Sequence, residues 1–146
     1  TFSKGYSLAG LRLGYLLGDP SLIRPVLEKT RDSYNVDAIS QAIGLAAIED
    51  QTYAQKTWAC VRRDRKILAA GLTALGFSVA ASQTNFVLAQ TPKNVSAFQL
   101  YQALKDKGIL VRYFNTPRLQ DALRITVGTP EQNHLLLDQL DQLIGD

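Results

Sequence analysis

The sequence predicts an α/β fold in which helices cover a small sheet, and three observations carry that expectation. From about residue 77 onward, short apolar runs alternate with stretches of helical period. Glycine closes two helical stretches, at Gly76 and Gly108. Proline stands just inside two helix openings, at Asp19-Pro20 and Thr129-Pro130.

The elements follow in order. The first 18 residues read as a loop and then an apolar strand, Leu11 to Leu17. Asp19 is a good N-cap acceptor, and the helix it opens is expected to reach about Arg31, with Pro25 near its first turn or kinking it. Ser33-Tyr34-Asn35 reads as a joint, and Ala38 to Asp50 as a helix rich in alanine and isoleucine. From about Tyr53 to Leu75 a longer helix sets Trp58, Val61, Leu68, Leu72 and Leu75 on one stripe. Strands are expected at Phe77 to Ala81, Asn85 to Ala89, Ile109 to Tyr113 and Ala122 to Val127. A helix from about Ser96 to Lys107 lies between the second and third. Thr129 with Gln132 forms a capping box for a final helix that buries Leu136, Leu140, Leu143 and Ile144. Neither an internal repeat nor a low-complexity segment is present.

Bulk properties narrow the function. With 146 residues, 46% hydrophobic and 20% charged, the chain suits one ordinary core and a small second piece. A net charge of +3 is too small to argue for nucleic acid. The run Arg62-Arg63-Asp64-Arg65-Lys66 is expected to be a solvated helix surface. No apolar run is long enough to cross a bilayer, so no membrane role is expected. A lone cysteine, Cys60, favours a reducing compartment such as the cytoplasm and is expected to be a small packing residue. His134, the only histidine, falls at the solvent-leaning start of the last helix, and no cluster at ligand spacing suggests a metal. Asn85 has a strand-start role at least as readily as a site role. The chain has no methionine and opens within what looks like a site, so it is expected to be the C-terminal portion of a longer protein.

That opening, TFSKGYSLAGLRLGY, carries the chemistry. A lysine amine condenses with an aldehyde, and an arginine holds a phosphate. Lys4 and Arg12, eight residues apart, suit a small ligand with both groups, and pyridoxal phosphate is one. The apolar neighbours Phe2, Tyr6, Leu8 and Leu11 suggest a sheltered amine, more often unprotonated than the model lysine that titrates near ~10.4. Gly5, Gly10 and Gly14 would let the backbone approach a ligand closely.

S-K-x7-R in this segment resembles the lysine segment of fold-type I pyridoxal-phosphate enzymes, the aminotransferase class I and II group. Later blocks are similar to the histidinol-phosphate aminotransferase branch: Tyr34-Asn35-Val36, Thr84-Asn85-Phe86-Val87-Leu88, Gly108 to Arg112, and Leu123 to Thr129. The resemblance runs over nearly the whole chain but covers less than half of the family's length. It implies a small C-terminal domain with a short mixed sheet at residues 34–146, preceded at 1–33 by a remnant of the large cofactor-binding domain. Lys4 would bond the cofactor and then shuttle a proton between the substrate's α-carbon and the cofactor's C4′ carbon. Ser3 and Arg12, with Thr1 as a further contact, would bind the cofactor phosphate. Arg124 would clamp an α-carboxylate, and Arg112 the phosphate of histidinol phosphate, with 2-oxoglutarate as amino acceptor. The whole enzyme would be a homodimer acting in histidine biosynthesis.

Other elements of the family pattern lie upstream in relatives: the aspartate facing the pyridine nitrogen, the stacking aromatic and the glycine-rich phosphate turn. This chain alone is therefore expected to be inactive. Two alternatives stay open. One is another fold-type I enzyme, an aromatic or aspartate-type aminotransferase or a threonine-phosphate decarboxylase. The other is a non-catalytic α/β interaction module with Lys4 on its surface.

Overall fold

The computed structural model describes residues 1–145 and condenses into two compact units, Thr1–Trp58 and Ala59–Asp146. This division falls inside a helix and is a separate matter from a domain boundary near Tyr34.

In the first unit, α1 spans Pro20–Lys29 and α2 spans Ala38–Glu49. Asp19 caps α1 by accepting from the Ser21 backbone N–H at 2.8 Å and from its hydroxyl at 2.6 Å. Asp37 caps α2 in the same manner through Ser40, at 2.8 Å and 2.6 Å. The Ser21 hydroxyl and then its N–H hold the Asp19 carboxyl below its ordinary pKa; those of Ser40 do the same for Asp37. Helix α1 runs through Pro25, which removes one backbone donor but does not end it.

The strand expected at Leu11–Leu17 does not form. Ala9–Leu11 is a single 3-10 turn, and residues 12–19 are irregular. A strand needs a neighbour to pair its backbone, and this segment gains one ladder-like bond only, from Phe2 N–H to the Leu13 carbonyl at 3.0 Å. Phe2 is buried at the hub of an aromatic cluster. Its ring lies 5.1 Å from Tyr6 and 5.7 Å from Tyr15, and Tyr6 lies 5.5 Å from Trp58. The Trp58 indole N–H donates to the Gly5 carbonyl at 2.6 Å, tying the opening loop to the start of α3, Gln51–Ala74.

The second unit is a four-stranded sheet with helices packed on it, as the sequence predicts. Its strands are β1 Ser78–Val79, β2 Phe86–Gln90, β3 Arg112–Tyr113 and β4 Ala122–Thr126, in the order β1-β2-β4-β3. Every pairing is antiparallel, where the expectation was a mixed sheet. Helices α4, Ala97–Asp106, and α5, Pro130–Gly145, complete the unit. Alternation along the strands sends Val87, Ala89, Leu123 and Ile125 into the core. There they join Leu68 and Leu72 of α3, Leu100 and Leu104 of α4, and Leu136 and Leu140 of α5. The opposite face carries Phe86, Leu88, Arg124 and Thr126, because paired residues project to the same side.

The punctuation forms as expected. Gly76, at φ +86°, lets its own N–H reach the Thr73 carbonyl while Phe77 N–H reaches Leu72. Gly108, at φ +76°, repeats the arrangement with Lys105 and with Ile109 to Leu104. Thr129 and Gln132 form the reciprocal capping box, at 3.3 Å and 3.0 Å. Buried Asn133 brackets Gly128, accepting from its N–H at 2.9 Å and donating to its carbonyl at 3.1 Å.

Two surface expectations fail on α3. Asp64 and Arg65 are 6% and 8% exposed, so only part of the charged run is solvated. Arg65 falls on the apolar stripe between Val61 and Leu68, and its guanidinium donates to the Thr84 carbonyl at 2.6 Å and to Gln83 Oε1 at 3.4 Å. Asp64 accepts a two-pronged contact from Arg63 at 2.8 Å and 3.1 Å, which raises the Arg63 pKa. Cys60, expected to pack, is exposed because it lies off that stripe.

Candidate active site

Four of the residues singled out in the sequence lie in the first unit. The Thr1 hydroxyl donates to Ser3 Oγ at 3.0 Å and accepts from the Ser3 backbone N–H at 3.2 Å. It also lies 3.4 Å from the carbonyl of Leu13, the neighbour of Arg12. The chain thus folds back so that Thr1, Ser3 and the segment holding Arg12 share one loop cluster. Arg12 occupies the left-handed region at φ +52° after the 3-10 turn, and its Nη1 donates to the Ala9 carbonyl at 3.0 Å. It lines a cleft of about 490 Å³ with Asn35, Asp37 and Ser40.

Lys4 heads the turn that Ser7 N–H closes on its carbonyl at 3.1 Å. Its side chain is exposed, not sheltered as the neighbouring apolar residues suggested. The reason is local: Phe2 and Tyr6 pack inward on Tyr15 and Trp58, leaving Lys4 on the outside of the turn. Neither Lys4 nor Arg12 forms an ion pair among the described residues. The Thr1 and Ser3 hydroxyls thus stand together, whereas the Arg12 guanidinium is held at the Ala9 carbonyl in the cleft with Asn35, Asp37 and Ser40.

The second unit holds the remaining pair. Arg112 on β3 stands directly opposite Arg124 on β4 in the antiparallel ladder. Like charges placed so oppose each other, yet neither has an acidic partner among the described residues. Aromatic rings lie beneath them instead. The Phe114 centroid is 5.0 Å from the Arg112 guanidinium carbon and 5.5 Å from that of Arg124, and Phe86 lies 5.2 Å from Arg124. Sequence reasoning missed both rings. Phe114 stands two residues past Arg112, and Phe86 shares a sheet face with Arg124 only once β2 pairs with β4. The first signal was present in the sequence; the second needed the register.

The other candidates have structural surroundings of their own. His134 is exposed, with Nε2 3.4 Å from Asp138. Asn85 immediately precedes β2, and its backbone carbonyl accepts from Val127 N–H at 2.9 Å. No metal-binding cluster occurs among the described residues, and no helix among them is long and apolar enough to cross a membrane.

The family model for aminotransferase class I and II matches residues 1–140. Over 144 residues, 99% of this chain, the sequence is 53% identical to histidinol-phosphate aminotransferase 1 of Nostoc sp. and 49% identical to that of Trichormus variabilis. The chain spans only about 40% of the length of these relatives. A solved histidinol-phosphate aminotransferase from Sinorhizobium meliloti, in complex with pyridoxal-5′-phosphate, is similar at a TM-score of 0.82 and 28% identity. That match covers 99% of this chain and 40% of the other. The chain belongs to the class I and II aminotransferases.

Proposed function

We propose that this chain is the C-terminal portion of a pyridoxal-phosphate-dependent aminotransferase that exchanges an amino group between histidinol phosphate and 2-oxoglutarate. The observation that carries it is a chain-long identity of 53% to a relative of that name. The donor set fits the cofactor: Lys4 suits its aldehyde, while Thr1, Ser3 and Arg12 suit its phosphate. When bound, pyridoxal phosphate supplies the electron sink that makes the substrate's α-proton removable.

The chain's own residues do the rest. Lys4 Nζ holds the cofactor and, once free, moves the proton at the substrate's α-carbon. Arg12 and the two hydroxyls fix the phosphate and so the ring's orientation. Arg124 clamps the α-carboxylate of glutamate with a planar fork, and Arg112 meets the phosphate of histidinol phosphate. The division of the longer protein falls near Tyr34, with residues 1–33 in a large cofactor domain. It works as a cytoplasmic homodimer, and this 146-residue portion is inactive alone.

Borohydride reduction of the full-length, cofactor-loaded protein, followed by peptide mapping, tests the assignment. A label on the Lys4 peptide is expected, and keto-product formation should favour histidinol phosphate in a panel of amino donors. An unmodified Lys4 sinks the reading. A panel preference for aromatic donors or aspartate moves it to another branch of the family.

A further inference from the structure

We propose that Phe114 is the positioning residue of the arginine pair, holding both guanidinium groups ready for anions without consuming their hydrogen-bond donors. This rests on the reading of Arg112 and Arg124 as the anion-binding arms. Two cations placed opposite one another need something to hold them there. A carboxylate between them would do so, but it would occupy the donor forks and cancel the charge an anion needs. The ring of Phe114 sits 5.0 Å from one guanidinium and 5.5 Å from the other, and attracts each through its π-face. A ring face accepts no strong N–H bond, so the in-plane donors stay available for a bidentate contact. Phe86, 5.2 Å from Arg124, supports that arginine alone.

The two rings therefore predict different losses. In the full-length, cofactor-loaded protein, Phe114→Leu removes the ring while keeping apolar bulk. It should raise KM for both glutamate and histidinol phosphate roughly five- to thirty-fold, with kcat held within about twofold. It should also weaken binding of inorganic phosphate, measured by titration calorimetry, by a similar factor. Phe114→Tyr, which keeps the ring, should remain near the parent. Phe86→Leu should raise KM for glutamate and leave that for histidinol phosphate unchanged. Phe114→Met replaces the leucine variant should the latter not fold.

The proposal is overturned if Phe114→Leu matches the parent within twofold, if Leu and Tyr are equally impaired, or if only kcat falls. A parent protein that binds neither inorganic phosphate nor substrate also overturns it. A parent that transaminates no donor but binds phosphate more tightly than Phe114→Leu would sink the reading of function and leave the role of Phe114 standing.

Discussion

The two units of this chain solve the burial problem unequally. The second closes an apolar core over one sheet face, with Leu68, Leu72, Leu104, Leu123 and Leu140 fully inside. The first buries Phe2 and Ala54 but leaves Leu17 83%, Leu22 72% and Ile39 70% exposed. Helix α2, AISQAIGLAAIE, is apolar nearly all round, the composition of a helix that belongs in an interior. The relatives run far beyond the matched stretch, which agrees with a first unit rich in surface that its own residues do not cover. The proposed chemical amine stands on the thinly packed unit and the proposed anion arms on the well-packed one. Aiming two arginines at fixed points asks for a rigid sheet; an amine that must swing between partners asks for less.

The sharpest break between the units would come from Lys4. Changing it to alanine in the full-length protein should lower kcat by roughly 10³-fold or more while leaving the thermal midpoint of the cofactor-free protein unmoved, since the side chain is exposed. Turnover measured beside a melting curve checks both halves. Next comes a matched pair in denaturant titrations. In the 146-residue chain, Leu72→Ala should cost about 2–5 kcal/mol through the cavity it opens, whereas Leu17→Ala, at a side chain 83% exposed there, should stay within about 0.5 kcal/mol. Similar losses at both sites would erase the contrast.

A smaller effect is expected at Arg65. Arg65→Met keeps the stem but orphans the Thr84 carbonyl, at a cost of about 1–3 kcal/mol in the same titration. The least effect concerns pH. Asp19 and Asp37 have folded pKa values below the unfolded one, so their stabilisation is present above the ordinary carboxylate value near ~4 and lost as pH falls through the lower folded value. Carboxyl NMR titration should therefore show both midpoints below those of unbonded carboxylates, and serine-to-alanine changes at Ser21 and Ser40 should lessen the depression without abolishing it, because the backbone N–H bonds remain.

How much was legible depends on the range of the interaction. Caps and stops are local, so Asp19, Gly76, Gly108 and Thr129 could be read directly. The order of strands and helices after residue 77 was also legible, because alternation and helical period repeat within each element. What failed was decided over distance. Leu11–Leu17 has a strand's composition but no strand beside it. Arg65 interrupts an apolar stripe, yet only the carbonyl of Thr84, nineteen residues on, makes its burial affordable. Lys4 looked sheltered because its sequence neighbours are apolar, but those neighbours turn inward around Phe2. For the candidate site, the charged residues could be named from the sequence and Phe114 could have been, two positions past Arg112, whereas Phe86 became visible beside Arg124 only with the ladder register.

One small junction carries a larger consequence. The carboxamide of Asn133 faces the peptide group of Gly128 the way one rung of a ladder faces the next, giving the end of β4 a side-chain substitute for a missing neighbour. A Cβ on Gly128 would stand 2.8 Å from Gln132 Oε1 and 3.0 Å from its Cβ, so a larger residue there would push the Gln132 side chain out of its capping contact. The exit direction of the polypeptide four residues after Arg124 is thus latched by one amide. An aspartate in its place would keep the grip on the N–H and, while ionised, repel the carbonyl, turning a fixed corner into one that answers to acidity.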